Sequence, residues 1–568
     1  MSRAAFLPFL AFVLLFIAAG PAVGPAFGQE AASLDDDERA AIDTYMTEML
    51  DTHRIPGIAL AVVRGGAVAY TAAYGTSGLT AEDGSSRAML PDTPVRIGSA
   101  TASVTALALL QLAERGNIEL DAPVSDYLPA FAALDEQTER PVTVRHLLSH
   151  TSGIPPAAAL WVEDGTGDSG VVEDGAGESG AAAAATDSPV RRRAAAIAAA
   201  VARRGTEAEP GAGFTYADAN LIVAGAVLEA ATGRPYADYL QKELLEPLGL
   251  EECFVAWGSE RAARGHARGL FDITVPIDAD VAPGDEPAAG LACSAGAAGR
   301  YIAALLNADS AGASGRAADA ADRGAGAAGE AITPPGPLCP GMLAELWRPQ
   351  AEARGPGVPD GASYAHGWLV EGGGASRHVW HAGTIATSQS AYHLYPEESS
   401  GVFVAMNVNG LMLYDLTNVI ARGVHDMLQG EDPPAFEPLE TARSTRVIVT
   451  VVSSLSLLWL LFSINAFKLR KRRGALPVKG KRDMKRGVAF PLLVDGAILI
   501  FFLVAVPAGF NARFTDLYSM ALDIFMLSVL AVVPVGVWAA ARTVLSFMSA
   551  PGGSAERRLT SPAPSSRE

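Results

Sequence analysis

Val95-Arg96-Ile97-Gly98-Ser99-Ala100-Thr101-Ala102 is the stretch on which the reading of this chain turns. It runs into Ser103-Val104-Thr105-Ala106-Leu107-Ala108-Leu109-Leu110, apolar enough on every side to predict a buried helix. That helix extends to about Arg115 and stops before Gly116. A serine on the first turn of such a helix commonly serves as an N-cap, but it is also well held for nucleophilic attack. A serine hydroxyl is a weak nucleophile until a neighbouring base takes its proton. One helical turn on stands Ala102, whose side chain offers no proton acceptor.

Further segments follow in a fixed order: Leu120-Asp121-Ala122-Pro123-Val124 through Tyr127-Leu128-Pro129, then Val144-Arg145-His146-Leu147-Leu148-Ser149-His150-Thr151-Ser152-Gly153. After these come Phe214-Thr215-Tyr216-Ala217-Asp218-Ala219-Asn220 and His381-Ala382-Gly383. Together with Ser99 they resemble the β-lactamase-related serine hydrolases, which include class C β-lactamases, penicillin-binding DD-peptidases, D-aminopeptidases and some esterases. The likeness covers roughly Asp37 to Gly410. In that family the serine is followed three residues later by lysine, and Tyr-x-Asn and Lys/His-x-Gly segments complete the site.

The resemblance implies Ser99 as nucleophile, Tyr216 as acid/base, and the N–H groups of Ser99 and Thr384, beside Gly383, as oxyanion donors. It implies that His381 anchors a substrate carboxylate or polarises the site. Two motif positions are replaced. Ala102 stands for the lysine, and Asp218 for the asparagine, which exchanges a donor and acceptor for a group that only accepts when ionised. The sole lysine before residue 446 is Lys242, on an expected solvent-facing helix. Arginine stays protonated and is a poor base. His150 and Ser152 read as parts of a structural turn.

The expected fold is α+β: an antiparallel sheet beside a helical half, with the cleft between them. Helices are expected over 34–52, 191–204, 218–232 and 235–246. Gly57–Val63 and Ala67–Tyr74 suit a hairpin around Gly65-Gly66, and 367–370, 379–382, 388–395 and 402–407 suit later strands. The domain spans 29–440, with low-complexity insertions near 157–190 and 309–332 that lack apolar mass and are expected to be disordered loops.

Residues 1–28 read as a signal peptide. Three apolar runs, 447–467, 488–508 and 519–541, are long enough to span a bilayer. The basic loop 468–487 between the first two marks the cytoplasmic side, with 542–568 as a cytoplasmic tail. This predicts a multi-pass protein of a bacterial-type cytoplasmic membrane, its domain facing the periplasm or exterior. Asp495 and Asp523 fall inside the second and third spans, towards opposite sides, so they are not expected to pair. Three spans with no further charged pattern suggest an anchor, or a docking unit for a membrane-protein partner.

Residues 446–568 carry 16 basic and 6 acidic side chains, a net +10, which leaves −29 on residues 1–445 of a chain whose total is −19. So acidic a domain argues against nucleic acid and anionic lipid as ligands. Cys253, Cys293 and Cys339 allow at most one internal disulfide. No zinc or phosphate-loop signature appears, so neither metal nor cofactor is expected. The functional expectation is a catalytically impaired family member that binds a peptide or peptidoglycan-like ligand. The alternatives are an active peptidase or esterase in which Asp218 or water replaces lysine, and a scaffold subunit of a membrane complex.

Overall fold

The computed structural model describes residues 33–80, 84–162, 188–256, 261–269, 273–277, 281–322, 338–438, 440–476, 478, 480–509 and 522–548. The expected signal peptide lies outside them, as does most of the first low-complexity segment. Helix α1 (Asp36–Thr52) begins with a reciprocal cap between Asp35 and Glu38. Strands β1 (Gly57–Arg64), β2 (Ala67–Thr80) and β3 (Ser86–Ala88) follow. Short strands β4 (Val95–Arg96), β5 (Phe254–Val255), β6 (His266–Arg268), β7 (Thr274–Pro276) and β8 (Leu291–Cys293) lie in mid-chain. The later strands are β9 (Ala351–Glu352), β10 (Ser363–Tyr364), β11 (Leu369–Glu371), β12 (His378–Ile385), β13 (Ser388–Tyr395), β14 (Ser400–Met406) and β15 (Val408–Asn409).

The main sheet has the order β3-β2-β1-β14-β13-β12-β11-β10-β9, every pairing antiparallel, so the first strands close against the last. Strand β1 is buried almost end to end, and its period-two pattern divides it between two cores. Ala59, Ala61 and Val63 face the helical half, with Phe403 and Ala405 of β14. Ile58, Leu60 and Val62 face α1 and a late helix (Leu416–Leu428), with Val402, Val404 and Met406. The helical half contains the helix that follows Ser99 (Thr101–Glu114), with the helices Pro189–Arg204 and Asp218–Thr232. Cys253 and Cys293 form a disulfide and Cys339 is free.

One expected loop is instead helical. The helix that begins at Ala295 continues through Asp322, into the segment assigned to disorder from 309 onwards. Alanine-rich sequence needs no apolar core to prolong a helix already nucleated on buried turns.

Three helices are long and apolar enough to cross a membrane: Ala442–Arg472, Lys481–Ala505 and Ile524–Phe547. The third helix runs past the expected tail boundary at 542, so Arg542 lies inside it and pairs with Asp495, both side chains being almost wholly buried. An apolar-run reading ends at the first charge, whereas a charge neutralised by a partner on another helix lets the span continue. Trp459 Nε1 donates to Asp495 Oδ1 at 2.8 Å, and Ser463 Oγ accepts from Trp538 at 2.9 Å and from Arg542 at 2.5 Å. All three helices thus contribute to one polar layer. The Asp523 side chain lies outside the described part.

Removing one member of a buried ion pair strands the other, at a cost of about 3–5 kcal/mol, whereas removing both is far milder. Asp495→Leu and Arg542→Met should therefore each lower the thermal midpoint of the detergent-purified chain, and the double variant should lower it less than either.

Candidate active site

Ser99 lies in a 3₁₀ turn (Gly98–Ala100) that feeds directly into the buried helix Thr101–Glu114. That turn is pressed against the sheet. Ser388 Oγ and Ser390 Oγ of β13 donate to the carbonyls of Arg96 and Ile97 at 2.8 and 2.7 Å. A Cβ on Gly383 would sit 1.7 Å from the Ile97 oxygen, and one on Gly98, where φ is +56°, 2.9 Å from the Thr384 nitrogen. Both positions require glycine because two backbones meet there. The contact places the Thr384 amide against the turn that carries Ser99.

Ser99, Tyr216, His381 and Thr384 line one cleft of about 290 Å³. Ala102 is fully buried below it, and Gly367 crosses so closely that a Cβ there would lie 2.5 Å from the Ala102 oxygen. Lys242 is exposed on the turn whose Glu243 pairs with Arg115, at the far end of the serine's helix. That helix is about 20 Å long.

The Tyr216 ring stacks on His150 at 4.2 Å between centroids. His150 Nδ1 accepts from the Ala217 N–H at 3.2 Å and from Asn220 Nδ2 at 3.1 Å, while Ser152 Oγ donates to Asn220 Oδ1 at 2.5 Å. The turn read as merely structural is thus a clamp on Tyr216-Ala217-Asp218. Its one sequence-level signal is a histidine followed by small polar residues, and the φ of +53° that aims His150 inward cannot be read from it. His381 Nε2 meets the Tyr364 hydroxyl at 3.1 Å. Tyr364, Phe214 and Trp380 complete an aromatic wall that sequence reasoning missed.

The Tyr216 hydroxyl is influenced by both Ser99 and Asp218 without closing a hydrogen bond to either. Burial, then the Asp218 charge, holds it well above the usual phenol range, so it is neutral. The surrounding protein, then Asp285, pushes Asp218 up to about 6. Two things oppose that push: the Asp218 residue is exposed to water, and it sits on a helix first turn, which favours its anion. Burial brings His381 down to about 4, leaving it uncharged at neutral pH. Among the described residues the cleft lining carries one cation, Arg354, which is hydrogen-bonded to Glu352 at 3.0 Å.

A family model described as beta-lactamase matches residues 42–422. The chain is 36% identical to esterase EstB of Burkholderia gladioli over 243 residues, 42% of this chain and 56% of that protein. It is 30% identical to penicillin-binding protein 4 of Amycolatopsis lactamdurans over 200 residues, 35% of this chain and 45% of that protein. It therefore spans about half the length of these curated relatives. The solved structure of a penicillin-binding protein homologue from Pyrococcus abyssi shares the fold, with a TM-score of 0.53 at 22% identity over 73% of this chain and 81% of that one. The chain belongs to the β-lactamase family of serine hydrolases, and carries in addition three helices of membrane-spanning length and composition.

Burial holds His150 and His378 down to about 3, and His381 to about 4. The unfolded chain takes up these protons near pH 6.5, and the folded chain only well below it. Stability present above pH 6.5 is therefore lost as pH falls towards 4. The thermal midpoint should drop over that window, and His378→Gln should flatten the slope.

Proposed function

We propose that this protein is a membrane-tethered, catalytically impaired member of the family that holds a peptide or cell-wall-like ligand in the cleft beside Ser99. The observation that carries this reading is the buried Ala102 methyl at the position of the proton acceptor, with the sole lysine of the domain at the opposite end of the helix. Loss of a general base lowers a rate by about 10²–10⁴. Apart from Asp218 in place of the asparagine, the pocket supports ligand binding: Ser99 lines the cleft, His150 clamps Tyr216, and β12 is seated on the turn that carries Ser99. Similarity to an esterase and a penicillin-binding protein supports an acyl- or peptide-bearing ligand. The basic segment 468–487 supports an outward-facing domain in a bacterial-type membrane.

The test is intact mass after exposure of the detergent-purified chain to a fluorophosphonate. The expected result is no adduct on the natural chain and a gain of one in Ala102→Lys, lost again when Ser99→Ala is added. A stoichiometric adduct on the natural chain, absent in Ser99→Ala, would overturn the impaired reading.

A second reading is favoured by the placement of Tyr216 between Ser99 and Asp218. The Ser99 proton would pass to the Tyr216 oxygen as the Tyr216 proton moves to an Asp218 oxygen, leaving the serine oxygen to attack. An aspartate near 6 is ionised at neutral pH and can accept it. On this reading the acylation rate climbs as pH rises through about 6, and Asp218→Asn removes both that rise and about 10²-fold of the rate. On the first reading Asp218→Asn changes nothing.

A further inference from the structure

The domain does not hang free of its helices. Ala267 at the centre of β6 and Ile277 just past β7 share one buried cluster with Leu522 and Phe525 of the third membrane helix. A Cβ on Gly269 would lie 3.3 Å from Met526 Sδ. Leu411 packs into a second cluster with Val449, Phe502 and Ile524, drawn from all three helices. These contacts fall at the start of the first helix, the end of the second and the start of the third, the end of the bundle remote from the basic residues 468–486.

From Leu411 the chain takes three residues to become cleft wall, at Tyr414 and Asp415, and Thr417 and Asn418 continue that wall. Three residues span at most about 10 Å. The sheet that rests on the third helix is also tied to the cleft, since Gln389, a lining residue, donates to Asn409 Oδ1 of β15 at 2.7 Å. Ile273, just before β7, and Val275 within it are exposed, at 59% and 37%, and Gly269 is flanked by both the Ile273 carbonyl and the exposed Met526. An apolar rim continuous with membrane helices is a surface that lipid covers.

The cleft matches that setting. Val358, Leu369, Trp380, Phe214 and Tyr364 make its lining largely apolar; its one cation, Arg354, is paired with Glu352, and its one carboxylate, Asp415, lies 3.9 Å from Arg422. We propose that the cleft takes its ligand from the bilayer leaflet facing the domain, and that this ligand is a single-chain acyl amphiphile with a head group of no net charge. The proposal rests on the reading of the cleft as a ligand site and names the ligand's class and source. The apolar chain would lie along the Val358, Leu369 and Trp380 wall, with the polar head near Ser99 and Asn418.

The experiment uses the full chain in phosphatidylcholine nanodiscs containing palmitoyl glycerol with a diazirine on its acyl chain. Light-induced adducts are mapped by mass spectrometry. Adducts are expected on segments 354–358 and 411–418, falling about tenfold both in Leu369→Trp, which fills the cleft, and in an Ile273→Asp/Val275→Asp double variant. With water-soluble hexanoyl glycerol and detergent-purified chain, that double variant should label like the natural protein. Equal labelling of natural and double-variant chain by the membrane probe would overturn the bilayer as source. Adducts confined to the helices, with a soluble acetyl-D-alanyl-D-alanine dipeptide still binding the cleft, would overturn the amphiphile and leave the ligand-site reading standing. Failure of all three probes to bind would overturn both.

Discussion

The structure depends on one close backbone contact, where β12 crosses the turn that carries Ser99. A side chain at Gly383 or Gly98 would force the two apart, because the atoms it would strike are main-chain and cannot rotate away. The sheet supplies the rest of the grip through Ser388 and Ser390, whose hydroxyls donate to the carbonyls of Arg96 and Ile97 just before the turn. The helical half and the sheet are thus registered at Ser99. The cleft is the gap that remains once that contact is made.

Tyr216 is fixed by a separate device. His150 carries the tyrosine ring on its face and holds the next peptide by its nitrogen, so that two elements distant in sequence set one hydroxyl opposite Ser99. Burial keeps that histidine neutral, as an acceptor at Nδ1 must be. Among the described residues the cleft lining has one cation, Arg354, which is held by Glu352. Tyr216 and His381 are neutral, so an oxyanion at Ser99 would rely on backbone N–H groups.

The sheet was legible because its strands are apolar runs bounded by glycine and polar turns, and β1, buried on both faces, is the plainest of them. The site was legible as an order of segments, and Ser99, Tyr216, His381 and Thr384 share a cleft. Other features depend on contacts that no local pattern carries. The inward aim of His150 rests on a positive φ, and the aromatic wall at Tyr364 and Trp380 comes from short strands far along the chain. Arg542 looked like the start of a tail because hydropathy weighs a residue without its partner.

That partner makes the three helices one unit. A chain lacking the third helix would leave the Asp495 carboxylate with Trp459 as its hydrogen-bond donor and no countercharge. A change that displaces the third helix is therefore felt in the second, where a buried charge would be stranded.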